Sequence, residues 1–353
     1  MTTTAAPDVS TITVPAGTPT VSIVLPVRDE EPYIEACLES VLAQDYPADH
    51  VEILLVDGMS TDRTRELAEK VLAERVADGS ARVLDNPRGI APTAMNIGIS
   101  ASTGDVIVRA DGHTVLPAGY VRQSVEALQA TGSQCVGGAI RTLGTGVTGQ
   151  AIAAAQSSRF GVGGVAFRTG RSVAGPVDTV PFGAWPRQVF DRIGDFDVEL
   201  VRNQDDEFAF RLTQAGGTVW FDPSICTDYF CTPSLRRFWR QYFQYGEYKI
   251  RVAQKRNGFA SVRHLVPAGF VVAAVASLVV AVARREPRWA LAVLGPYAIA
   301  NGVASTTTAR QAQADPARVA LAYAVLHTSY GSGFLSGLWR WRRGFLPTAK
   351  RSR

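Results

Sequence analysis

Four short apolar runs, each followed by a stretch of different character, leave the first third of this chain few folds to choose from. "VSIVLPV" (21–27) is β-branched and has no helical period; the "EPYIEACLESVLAQ" after it repeats apolar residues at helical spacing. Pro32 is tolerated in that first turn, and Glu30 and Glu31 suit its dipole end. "VEILLVD" (51–57) predicts a second strand, and "STDRTRELAEKVLAERV" a helix capped at Ser60 or Thr61. "ARVLDN" (81–86), a Pro92-started helix in "GIAPTAMNIGISAST", and "DVIVRAD" (105–111) complete four β–α units. Such strands are buried on both faces. The predicted fold class is therefore α/β: a Rossmann-like, mostly parallel sheet with helices on both faces.

Ligands of such sheets bind at the carboxyl ends of the strands. Asp29 and Glu30 follow the first strand, Asp57 ends the second, and Asp111 follows the fourth, so three strand ends carry acids. Asp111 and His113 stand two apart beyond "VIV", an oxygen and a nitrogen donor suited to Mg²⁺ or Mn²⁺ against a diphosphate. Taken alone, Asp-x-His is equally an Asp capping a turn beside an exposed His. The acids of "NQDDEFAFRL" (203–212) also suit a helix N-terminus whatever else they do. From 134 to 233 the pattern loosens into Gly-rich short strands and loops, where "GVGG" reads as a loop because no strand–turn–helix surrounds it.

Charged residues are only 19% of the 353, and the apolar excess lies beyond residue 264. A net charge of +4 gives no argument for nucleic acid. "RRFWRQYFQYGEYKIRVAQKR" predicts an amphipathic interfacial helix over 234–256. Segments 265–283, 289–305 and 319–339 predict C-terminal transmembrane helices within 264–340, followed by a basic tail, 341–353. Three spans would leave that tail outside, against the positive-inside tendency, so their number is open. The first 20 residues, with neither basic start nor apolar core, predict a disordered leader. Cys37, Cys135, Cys226 and Cys231 show no zinc-type spacing and read as reduced thiols.

"SIVLPVRDEEPYIEACLESVLAQDYP", "VEILLVDGMSTDRT" and "RGIAPTAMNIGISASTGDVIVRADGHTVLP", in that order, resemble the nucleotide-sugar domain of the inverting glycosyltransferases of family 2. The resemblance covers about residues 20 to 250 and implies the A-type glycosyltransferase fold, with a catalytic domain at 21–250. Within it, 21–115 would bind the nucleotide sugar and 116–235 the acceptor. Asp57 then binds uracil. Pro26, Arg28, Asp29 and Glu30 line the first-strand loop near base or ribose. Asp62 fixes its own loop, and Arg88, Gly89 and Asn96 lie near ribose and diphosphate. Asp111 and His113 match the family's Asp-x-Asp, with His in place of the second Asp, and would hold the divalent metal.

"NQDDEFAFRL" matches the family's second acidic stretch, which makes Asp205 the general base and gives Asp206, Glu207 and Arg211 supporting or acceptor-side roles. Gln204 replaces a usual Glu, removing a like charge that would raise the Asp205 pKa. Trp185, in "VPFGAWPRQVF", is placed for stacking on a sugar or for core packing. The subgroup most similar is the bacterial exopolysaccharide transferases of succinoglycan-biosynthesis type. No processive Gln-x-x-Arg-Trp follows Asp205, which implies addition of a single sugar.

The expected function is transfer of a hexose, glucose first among them, from a UDP-sugar to a polyprenyl-diphosphate-linked glycan, at the cytoplasmic face of the inner membrane and in contact with its lipids. Two rivals exist. A sugar-phosphate nucleotidyltransferase needs a Gly-rich basic loop after the first strand, and "LPVRDEEPY" has neither property. A non-catalytic membrane scaffold on the same fold is motivated by His113 and Gln204.

Overall fold

The computed structural model describes residues 8–170, 173–256, 258 and 261–342. The chain divides into two compact units, Met1–Arg141 with Ala166–Phe230, and Thr142–Val165 with Cys231–Arg353.

The first unit is built on a nine-stranded sheet: β1 (Val21–Val27), β2 (Val51–Asp57), β3 (Ala81–Asp85), β4 (Val106–Arg109), β5 (Thr114–Val115), β6 (Cys135–Leu143), β7 (Gly175–Pro176), β8 (Ala184–Pro186) and β9 (Val219–Phe230). Its order is β3-β2-β1-β4-β8-β6-β9-β5, with β7 also on β9. The four strands expected from the sequence pair parallel, and the order reverses at β1, which lies between β2 and β4. Beyond β4 the sheet departs from the parallel expectation. β8 joins β4 antiparallel, β6 joins β8 antiparallel, and β5 and β7 pair antiparallel with β9. Between β4 and β8 the chain forms β5, the helix Tyr120–Thr131, β6, the helices Gly146–Gln156 and Arg159–Val162, and β7.

Both faces of the parallel part are covered, and the period of two explains how. Val21, Ile23, Leu25 and Val27 of β1 enter one core with Ile53, Leu55, Val106 and Val108. Val24 enters the other with Leu54, Val56 and Ile107. The helices Ile34–Leu42 and Thr64–Val71 supply the first core with Leu38, Val41, Leu67 and Ala68; Ala91–Ala101 supplies the second with Ala94, Met95 and Ile99.

The expected leader is corrected over its described part. Val9, Ile12 and Val14 are buried in these two cores, and Gln134 Nε2 donates to Ile12 O at 2.9 Å. Three apolar residues among Ser, Thr and Pro give no period to read, yet each finds a place. Residues 1–7 lie outside the described residues, as does the basic tail from 343 onward.

The second unit is helical. Its first part, 142–165, takes the end of β6 and the helices Gly146–Gln156 and Arg159–Val162, within the range assigned by sequence to the catalytic domain. The "GVGG" stretch ends the second of these helices, with Gly163 as a left-handed cap at φ 69°. The segment 234–256 contains the helix Leu235–Lys255. One face of it is covered by the helix Pro316–Arg340, whose Gly333 and Gly337 lie on the backbone of Phe243 and Glu247. Arg236, Arg237, Trp239 and Arg240 remain exposed.

The three expected membrane segments are the helices Val266–Arg284, Arg288–Ala312 and Pro316–Arg340. Among the described residues, one helix is long and apolar enough to cross a membrane, Val262–Arg284, with a mean hydropathy of 2.6. The Arg288–Ala312 helix ends in the polar run "STTTARQ". The Pro316–Arg340 helix buries Val319, Tyr323, Leu326 and Phe334 within its own unit.

Candidate active site

The carboxyl ends of β1, β2 and β4 carry the expected acids, and the loops that hold them are stitched together. Asp29 N donates to Ser60 Oγ (3.0 Å), Glu30 N to Thr64 Oγ1 (2.7 Å) and Glu31 N to Asp62 Oδ2 (3.2 Å). Asp29 returns the contact, its Oδ1 accepting Thr61 N at 2.8 Å. Asp29 and Met59 both sit at positive φ, 54° and 60°, a cost these cross-links offset. Asp62 thus fixes the loop, as expected. Asp57 is buried, and its Oδ1 accepts Ser60 N (3.1 Å) and Ser60 Oγ (2.6 Å); Oδ2 lies 3.7 Å from Arg65 Nη1. Pro26 stands opposite Val56 near the same edge. Arg28 Nη1 donates to Gly89 O at 3.0 Å, and Gly89, at φ 61°, leaves room that a Cβ would take from that guanidinium.

At the end of β4 the side chains gather. Arg109, only 6% exposed, donates from Nε to Asp111 Oδ1 (2.8 Å) and from Nη2 to Asp111 Oδ2 (3.2 Å). Its Nη1 donates to Asp205 Oδ1 at 2.6 Å. The same guanidinium stands 5.9 Å from the ring centroid of Phe182. Phe182 is held at φ 47°, and its carbonyl accepts the Tyr120 hydroxyl at 2.6 Å. Neither Arg109 nor Phe182 was singled out by sequence. A basic residue ending a strand looks like a surface charge until a carboxylate from another part of the chain meets it.

Asp205 opens the helix Gln204–Gln214 after Asn203, itself left-handed at φ 61°. Burial raises the Asp205 pKa above the ordinary carboxylate value; Arg109 opposes this, while Asp111 and Asp206 add to it. With 30% of the side chain exposed, solvent moderates the shift. Gln204, buried and uncharged, spares Asp205 one like charge, but burial outweighs that saving.

His113 Nδ1 lies 2.7 Å from Glu30 Oε1. Burial alone would lower the imidazole pKa, yet Glu30 turns the net shift upward. The close approach is built in: a Cβ on Gly112 would meet Glu30 Cγ and Val27 Cγ1, each at 3.0 Å. Among the described residues no group of three or more His, Cys, Asp and Glu is placed to hold a metal ion. Asp111 and His113 offer one carboxylate and one imidazole here, with both Asp111 oxygens accepting from Arg109 and His113 Nδ1 facing Glu30.

Other expected site residues are engaged elsewhere. Asn96 Nδ2 donates to Phe196 O (2.9 Å) and its Oδ1 accepts Phe196 N (3.0 Å), so this carboxamide anchors the 196 segment. Trp185 is 3% exposed and packs edge-on against Phe190, Phe196 and Phe208, which leaves no face for a sugar. Glu207 pairs with Arg211 at 2.8 Å, and Arg211 also donates to Ile193 O (2.6 Å) and Asp195 O (2.7 Å), a supporting role for both. Asp206 stays half-buried beside Asp205, and Arg88 is exposed.

The chain is similar to known glycosyltransferases. Residues 22–160 match the family described as glycosyl transferase family 2. The chain is 29% identical over 325 residues to the succinoglycan biosynthesis protein ExoA of Rhizobium meliloti (strain 1021), covering 91% of this chain and 96% of that one. It is 27% identical over 257 residues to the dolichyl N-acetyl-alpha-D-glucosaminyl phosphate 3-beta-D-2,3-diacetamido-2,3-dideoxy-beta-D-glucuronosyltransferase of Methanococcus voltae, covering 71% of this chain and 78% of the relative. Among solved structures, the mannosyltransferase PcManGT from Pyrobaculum calidifontis, in complex with GDP-Man and Mn²⁺, matches with a TM-score of 0.57 at 18% identity. That match covers 96% of this chain and 90% of the other, and shows a shared fold.

Proposed function

We propose, from the premise that this chain is a glycosyltransferase belonging to glycosyl transferase family 2, that it moves a hexose, glucose in the first instance, from a UDP-sugar to a polyprenyl-diphosphate-linked glycan with inversion. The observation that carries the reading is the meeting of Asp111 and Asp205 on one buried guanidinium, at the strand ends where Asp29, Glu30 and Asp57 also stand. Asp205 takes the proton of the acceptor hydroxyl as its oxygen attacks the anomeric carbon. The bond from that carbon to the phosphate oxygen breaks, and UDP leaves with the electron pair. A raised pKa suits Asp205 to this, because a stronger base accepts the proton more readily. A divalent cation on Asp111 and His113 would supply charge neutralisation for the leaving diphosphate. Asp57 and the Arg28–Gly89 contact line the base and ribose end. Half-buried Asp206 borders the acceptor side, while Glu207 and Arg211 hold the helix that carries the base.

The acceptor reading draws on names as well as chemistry. The Methanococcus relative is named for a dolichyl-phosphate-linked substrate and the Rhizobium one for succinoglycan biosynthesis, and both suit an acceptor that lives in a bilayer. One apolar helix in the second unit suits a catalytic domain held at the cytoplasmic face of the inner membrane.

Purified protein with UDP-glucose, Mn²⁺ and lipid-linked saccharide is expected to release UDP. Asp205→Asn is expected to slow that release roughly 10²–10⁴-fold; release at the wild-type rate would end the base assignment. Asp111→Ala should abolish metal-dependent UDP binding in a calorimeter. A panel of UDP- and GDP-sugars, scored by protection against thermal unfolding with and without Mn²⁺, identifies the donor.

A further inference from the structure

A buried arginine needs a reason, because its charge is costly to desolvate unless fully paired. Arg109 is fully paired, and with groups that matter: two of its nitrogens grip both oxygens of Asp111 and a third grips Asp205. The bond to Asp205 spans 96 residues of sequence, while Asp111 stands only two residues from Arg109. The helix Gln204–Gln214 presents Asp205 in its first turn, after the left-handed Asn203 and with half-buried Asp206 beside it. The Asp205 carboxylate is held by Arg109, rooted in β4 opposite Val24.

We propose that Arg109 is a positioning residue that fixes the Asp205 carboxylate against Asp111, so that the base is aimed from the sheet and not from its own helix. The inference rests on the reading of Asp205 as base. A planar guanidinium serves two carboxylates at once with a fixed angle between them, whereas an ammonium offers one point. The fork is what the geometry uses. Loss of aim by about an ångström can cost on the order of 10²-fold in rate without weakening donor binding.

Arg109→Lys and Arg109→Gln in the full-length protein test this. Both should lower kcat for UDP release from UDP-glucose, about 10²-fold for Gln and less for Lys, while KM for UDP-glucose stays within about threefold of wild type. A residue that only holds the fold would lower the amount of active protein and leave kcat per folded molecule alone, and a thermal melt separates the two. Lys keeps the charge and the stem, so it decides the matter where Gln does not fold. Unchanged kcat in both folded variants, or a raised KM with kcat intact, would each overturn the proposal. Wild-type release of UDP together with its loss in Asp205→Asn shows that the underlying reading stands, whichever way Arg109 falls.

Discussion

Trp185 shows how a single side chain divides function from packing. Its ring lies 5.8 to 6.1 Å from those of Phe190, Phe196 and Phe208, all edge-on, and a Cβ on Gly183 would strike it. Trp185→Ala should therefore cost roughly 3–5 kcal/mol of stability, read as a lowered denaturation midpoint. Trp185→Phe should keep the acceptor KM unchanged, where a stacking role would raise it. At Asp205 the expectation concerns pH. The base works only when ionised, and its raised pKa means that it holds a proton at pH values where an ordinary carboxylate has lost it. The acid limb of kcat should thus lie above the usual carboxylate range, checked by a rate–pH profile of UDP release. Asp29, Glu30, Asp57 and Asp111 were legible in sequence because strand ends are where such sheets bind ligands. Asn96 was not, because its partner is the backbone of Phe196, 100 residues on, and no pattern announces a backbone partner.

Elements were legible where their period was clean. The runs at 21–27, 51–57, 81–86 and 105–111 became β1 to β4 within about a residue at most ends, because a strand buried on both faces admits little but apolar residues. The amphipathic helix at 235–255 was found but half its face misjudged. Its Gly246 lies against the backbone of Tyr330, and Glu247 accepts from Arg340 Nη1 (2.9 Å) and Ser336 Oγ (3.2 Å), so a neighbouring helix covers what looked like bilayer surface. Small residues that allow such an approach carry no hydrophobic signal. Gly246→Ala tests the contact by setting two magnitudes against each other. Alanine gains up to about 1 kcal/mol of helix propensity, while forcing a methyl into a backbone carbonyl costs about 1–3 kcal/mol. The second effect should win, and the melting temperature in detergent should fall; a rise would mean that the two helices do not meet as described.

For the molecule as a whole, the decisive feature is the helix Val262–Arg284, whose apolar stretch is almost entirely uncovered by its own chain. Val272, Val275, Leu278, Val279 and Val282 are all exposed on it, an apolar surface too extensive to leave in water. A core helix of the same composition would be covered by its own chain, and this one is not. At ~1.5 Å per residue its 23 residues are long enough to cross a hydrocarbon core, and a bilayer is the solvent that such a surface suits. Wild-type protein should then stay in the membrane fraction through an alkaline carbonate wash. Val275→Arg together with Val279→Arg places two charges near the middle of the span, each costing about 2.5–3.5 kcal/mol on the insertion scale. That pair should release the protein into the wash. Because neither substitution touches the sheet unit, UDP binding in the presence of Mn²⁺ should survive. Retention of the double variant at the wild-type level would assign membrane contact to the exposed Arg236, Arg237, Trp239 and Arg240 face instead. Recovery of the wild type itself in the wash would remove the bilayer, and with it the lipid-linked acceptor, from the account.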